Sequence, residues 1–401
     1  MKPASTPHSA AAATPLLRAC ALALCVLAVA GCSTVKGWFD GKDEDATEPA
    51  KLTEFSPTVT VSELWSADVG EGEDRLGIRQ HPVIVDGRVY AAAVDGGVHA
   101  LDLQTGKRIW HYPSELRLSG GPGAGDGLVV VGSLDGDVIA LDASTGAERW
   151  QAKVGNEIIA EPVVGLGMVF VRSNDGRLTA FDAATGERRW FWNHDVPSLS
   201  VRGNDAPVLG PGYVFVGSDD GTVSALAAAD GRPLWEQAVG QQEGRTELDR
   251  MADVDGTPVL DGTTIIATSF DGRTMAIDAP SGQPMWVSNH GGPGRAAVAP
   301  SVLAVSSADG NVYGLEKRGG SALWTQPGLV RRNLSAPAVH GGYAVVGDYD
   351  GYLHWLDLAT GAFAARARAG GDAIRAVPVV SGDILIAQDV DGGLSAFRIA
   401  Q

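Results

Sequence analysis

The sequence predicts an all-β fold: an eight-bladed β-propeller of four-stranded antiparallel blades, closed by its N-terminal strand. Three observations predict it. A proline and a tryptophan recur 28 residues apart at Pro82 and Trp110, Pro122 and Trp150, Pro162 and Trp190, Pro207 and Trp235, and Pro258 and Trp286, and the spacing is four shorter from Pro300 to Trp324. An Asp-Gly turn recurs at the same place in each of the eight units, from Asp95-Gly96 to Asp391-Gly392. The unit starts, completed by Pro337 and Pro378, lie 37 to 51 residues apart, the period of propeller blades.

Within a unit, strand A follows the proline, strand B ends at Asp-Gly, strand C ends near Leu-Asp, and strand D carries the tryptophan. Runs such as Val129–Val131 and Val138–Ala140 are separated by Asp-Gly and Thr-Gly dipeptides, whose glycines supply the positive φ of tight hairpins. The eighth unit ends at Gln401 after strand C. Its missing strand D is found at the other end, where Glu63-Leu64-Trp65-Ser66-Ala67-Asp68-Val69-Gly70 matches Glu148-Arg149-Trp150-Gln151-Ala152-Lys153-Val154-Gly155. Pairing the first strand with the last blade removes two open sheet edges.

Composition suits this plan. Glycine accounts for 53 of 401 residues, and 44% hydrophobic with 20% charged residues excludes a disordered chain or a coiled coil. Against 48 acidic residues stand 31 basic ones, a net charge of −17 that would repel nucleic acid. A partner should be neutral or locally basic.

Residues 1–31 read as a signal peptide, with Lys2 and Arg18 as their charges and an apolar run from Ala19 to Ala30 too short to span a bilayer. The end of that run, Leu27-Ala28-Val29-Ala30-Gly31-Cys32, resembles a bacterial lipobox, which implies diacylglycerol on Cys32. The alternative is an ordinary cleaved signal. Cys20 and Cys25 would leave with the leader, so the folded part carries no disulfide or thiolate metal site. Ser33 after the lipidated residue, by resemblance to sorted lipoproteins, implies the outer membrane. Residues 32–57, polar and acidic around Asp43-Glu44-Asp45, read as the lipidated cysteine and a flexible tether spanning about 27 Å. Residues 58–401 are the propeller.

The segment Leu-Asp-x-x-Thr-Gly-x-x-x-Trp resembles the tryptophan-docking repeat of quinoprotein dehydrogenases and their propeller relatives, in which the ring packs between blades. Seven tryptophans take that position (Trp65, Trp110, Trp150, Trp190, Trp235, Trp286, Trp324), and Ala365 takes it in blade seven. The Asp-Gly carboxylates are turn residues first. The seven histidines after the leader show no paired ligand spacing, Gly121–Gly127 misses the dinucleotide fingerprint, and Asp253-Val254-Asp255-Gly256 lacks the later ligands of a calcium loop. No catalytic constellation, metal or cofactor site emerges, and a non-enzyme is expected. A degenerate quinoprotein or other ligand-binding periplasmic propeller is the second reading.

Function on a propeller concentrates in loops longer than the repeat requires. Most Trp-to-Pro connections hold 11 to 13 residues, whereas Trp190 to Pro207 holds 16 and Trp235 to Pro258 holds 22. These two inserts follow one another, so they should be neighbours, on the face that carries the Asp-Gly turns. The lipobox, the eight repeats, the two inserts and Gly347–Trp355 in blade seven together closely resemble the B lipoprotein family of the outer-membrane β-barrel assembly machinery. That resemblance implies a non-catalytic scaffold, anchored on the periplasmic side of the outer membrane. It would bind the periplasmic (POTRA) domains of the BamA-type barrel insertase and meet the other machinery lipoproteins indirectly, and whether unfolded client proteins bind directly stays open. The partner contacts implied by the family fall on Leu199, Val201, Arg202, Asp253 and Asp255, with Val201 where the family has leucine.

Overall fold

The computed structural model describes residues 48–72, 77–197, 199, 206–241 and 251–400. Among these the fold is all-β, with eight antiparallel four-stranded sheets, seven of them contiguous in sequence. Blade two shows the plan: strands Leu118–Gly125, Leu128–Ser133, Asp137–Asp142 and Glu148–Lys153.

Strands B and C are apolar without alternation because both of their faces are covered. Val129, Val130 and Val131 are all fully buried. Successive side chains point to opposite faces of a strand, so Val129 and Val131 pack with Tyr90 and Ala92 of blade one while Val130 packs with Val169 and Val171 of blade three. One strand thereby seals two blade interfaces.

The tryptophans tie the outer rim together. Each of the seven donates its indole N–H, at 2.9–3.2 Å, to the carbonyl of the residue that follows strand C in the next blade, from Trp65 to Leu103 through Trp324 to Leu358. The ring lies over the turn glycine of that blade: a Cβ at Gly106 would stand 2.6 Å from Trp65 Cδ2. Ala365 falls where no such turn follows. Blade eight takes its strand D from Val61–Asp68, which pairs antiparallel with Gly393–Ile399 and sets Trp65 opposite Ala396. The approach to that strand covers the gap, with Val59 and Val61 packed over Ala364 and Ala365 and the Thr58 N–H bonded to Ala364 O at 2.9 Å.

Blade six departs from the expected start. Strand A is Ala297–Val298 and strand B is Val302–Ser306, so Pro300 occupies the A–B turn and does not precede strand A. The position held elsewhere by proline is Ala296, 28 residues before Trp324, and the blade is not shortened. Proline fits the turn because its fixed φ suits that site equally well.

The last residues of the expected tether are docked. The Ala50 N–H bonds Val330 O at 3.0 Å, Leu52 packs with Val312 and Leu329, and the Phe55 ring stacks on Phe363 at 5.4 Å. The folded unit accordingly begins at Pro49. Residues 1–47, with Cys20, Cys25 and Cys32, lie outside the described residues.

Candidate partner-binding surface

The first insert leaves strand D of blade three, Arg188–Asn193. His194 fixes its base: the backbone N–H reaches Gly176 O at 3.2 Å, and ring Nε2 stands 2.9 Å from Asp220 Oδ2 in the B–C turn of blade four. That hydrogen bond to Asp220 raises the imidazole pKa against the opposing effect of burial. Beyond it Val196 and Leu199 are exposed, Leu199 by 44%. Val201 and Arg202 lie outside the described residues.

The second insert leaves blade four after Ala238, and its residues 242–250 also lie outside the described set. Its returning limb is buried. Val254 fills the core between blades four and five, its N–H bonds Ser218 O at 3.2 Å, and Asp253 O accepts from Phe270 N at 2.8 Å. The two inserts meet where the Ala206 N–H donates to Thr257 Oγ1 at 3.0 Å, as expected for successive connections on one face.

Asp253 and Asp255, which the family resemblance makes partner contacts, do not stand on the surface. They are only 1% and 6% exposed. The alternation of an extended segment explains this: Val254 turns into the blade core, so its two neighbours turn the other way, toward the propeller axis. There Asp255 faces Arg79 and Arg172, the latter paired with Asp219 at 2.8 Å. Among the described residues neither Asp255 carboxylate oxygen has a hydrogen-bond partner, and burial, followed by the charges of Asp253 and Asp219, pushes its pKa up to about 8.

Two features escaped the sequence reading. The Trp65-to-Pro82 connection also holds 16 residues and carries Arg79. The segment Gly347–Trp355 builds a buried cluster: Asp348 accepts from Arg332 Nε at 2.7 Å and lies 2.9 Å from His354 Nε2, while Arg332 Nη1 donates to Ala50 O at 3.0 Å. That cluster seats the N-terminal segment, and the signal for it was the pair of apolar residues Leu52 and Phe55 shortly before the first strand.

The family model described as outer membrane protein assembly factor BamB matches residues 46–117, 95–326 and 308–401. The chain belongs to the BamB family. A BamB of Xanthomonas campestris pv. campestris is 58% identical over 96% of this chain and 98% of its own. That of Pseudomonas aeruginosa is 44% identical over 94% and 98%, and that of Escherichia coli K12 35% identical over 92% and 95%. The crystal structure of BamB from Moraxella catarrhalis superposes with a TM-score of 0.77 at 29% identity, covering 84% of this chain and all of that one. A quinohemoprotein alcohol dehydrogenase from Comamonas testosteroni, with a TM-score of 0.66 at 18% identity over 87% of this chain and 78% of its own, shares the propeller fold. Membership in a BamB family of assembly factors agrees with the non-enzymatic reading of the sequence.

Proposed function

We propose that this BamB-family chain is a lipid-anchored, non-catalytic scaffold of the outer-membrane β-barrel assembly machinery. Cys32 carries the anchor at the periplasmic face of the outer membrane, and the insert face binds the periplasmic POTRA domains of the barrel insertase. Other lipoproteins of the machinery are met indirectly. The observation that carries this reading is the match of an outer-membrane assembly-factor family across residues 46–401. The geometry supports the choice of face: Leu199 is exposed beside Val196, next to a second insert whose base is fixed from within.

In the contact, Leu199 and Val201, two apart in sequence, supply the apolar anchor, and Arg202 offers a bidentate fork to a carboxylate. Asp253 holds the second insert from beneath through its backbone carbonyl, which accepts from Phe270 N. Replacing Leu199 and Val201 by aspartate, or Arg202 by alanine, should cost about 2 kcal/mol or more of association with the POTRA domains, roughly thirtyfold in affinity, at an unchanged melting temperature. Full-strength binding by both variants, measured by calorimetric titration, removes this face as the interface.

A further inference from the structure

Superposing the repeats by blade position brings charged residues together at two levels on the axis. One residue before the strand-A proline, or before Ala296 in blade six, stand His81, Glu161 and Arg295; three before it stand Arg79, Asp255 and Arg375. The first level borders a cavity of about 430 Å³ at the centre of the ring, walled by strand-A residues such as Val83, Val259, Val298, Val339 and Val380. A volume of that size falls in the range of small-molecule sites. A smaller recess shares His81 and Arg295 with it and continues to Arg79, Asp255 and Arg375.

Arg295 sets this cavity apart. Glu161 is taken up by His81, whose Nε2 stands 3.0 Å from Glu161 Oε2. The Arg295 guanidinium makes no hydrogen bond or ion pair with any described residue, and Glu161 is the one charge that acts on it against burial. Arg295 is half-buried and lines the cavity, so its five donors are left for whatever fills that space. Here an unpaired fork borders an apolar chamber in a chain whose net charge is −17. We infer that the axial chamber is a binding site for a small organic monocarboxylate, whose carboxylate pairs with Arg295 and whose apolar body lies against the valine wall. Fork-to-carboxylate pairing supplies the orientation and apolar burial supplies the affinity.

Benzoate and its neutral isostere benzamide separate this proposal from nonspecific filling of the channel. Titrated calorimetrically into the full-length protein, benzoate should saturate at millimolar concentration or below and raise the melting temperature, with benzamide about tenfold weaker or worse. Arg295→Met should weaken benzoate by about tenfold or more. Glu161→Gln removes the negative charge that a bound carboxylate would meet beside the guanidinium and should tighten benzoate several-fold, a gain that no loss of structure can imitate. Absence of saturation by millimolar benzoate, equal binding of the two probes, or benzoate binding unchanged by Arg295→Met would each overturn the site. If Arg295→Met does not fold, the Glu161→Gln titration decides, and unchanged affinity there counts against the proposal.

Discussion

Asp255 shows how a residue's chemistry depends on which way one side chain turns. Its carboxyl sits beside the axis with both oxygens unpartnered, and its pKa is pushed up to about 8 by burial first and by Asp253 and Asp219 after it. A group whose folded pKa lies above its unfolded value contributes its full stability below the unfolded value, about 4 for aspartate, and loses it as pH rises to the folded one. The melting temperature should therefore carry a falling component from about pH 4 to about pH 8. Asp255→Asn keeps the shape of the protonated acid and cannot ionise. The variant should lose that component and gain roughly 1–3 kcal/mol at the alkaline end, the scale of an unpaired buried polar group. Thermal unfolding of both proteins from pH 5 to 8.5 tests this, and parallel curves would show that Asp255 has a partner the geometry does not supply. Because the isosteric amide keeps the limb of the second insert in place, the same variant should keep its affinity for the POTRA domains.

The blade element rests on a glycine and a tryptophan that meet across an interface. Gly106 adopts φ +65° and lies under Trp65, whereas Gly87 in the same blade adopts φ +73° with nothing within 4 Å of a would-be Cβ. Gly87→Ala should carry only the left-handed backbone cost, about 1–2 kcal/mol. Gly106→Ala carries that cost and also drives a methyl into the indole, which adds about 1–3 kcal/mol of overpacking. Denaturant unfolding should rank wild type above Gly87→Ala above Gly106→Ala, and equal midpoints for the two variants would mean that the ring is not held against the turn. This pairing is also why the fold was legible. Tryptophan, turn glycine and Asp-Gly sit at fixed offsets because each blade must meet an identical neighbour, so the period survives where other positions vary. Proline carries less information, since both the start of strand A and the A–B turn accept it, and Pro300 misled the count. The site was less legible. The sequence located the inserts by their length but left the burial of Asp253 and Asp255 open, because alternation alone does not say which parity faces the core. The axial arginines were hidden for another reason: Arg79, Arg295 and Arg375 come together only when three distant repeats are aligned by blade position.

At the scale of the whole molecule, ring closure and the route from the anchor are carried by one stretch of chain. From Ala50, held by Val330 and Arg332 between the D–A connection of blade six and the B–C turn of blade seven, the chain crosses the rim of blade seven. There Thr53 O accepts from Arg366 Nη1 at 3.1 Å, and the Phe55 and Phe363 rings stack on each other and both meet the Arg366 guanidinium. It then turns into Val61–Asp68 and closes blade eight. The described segment therefore meets the propeller on the face that also carries the two inserts. The energetic consequence is a graded one. Deleting residues 33–47 removes chain ahead of the docked segment and should leave the melting temperature unchanged. Deleting 33–57 also removes Leu52 and Phe55 and leaves Arg332 and Arg366 without their carbonyl acceptors, which should lower it by several degrees although the closing strand is kept. Deleting 33–66 removes Trp65 and most of strand D of blade eight, opens the ring, and should lower it most. With all three measured on soluble chains lacking the leader, equal melting temperatures for the first two deletions would mean that residues 49–57 rest on the propeller without stabilising it.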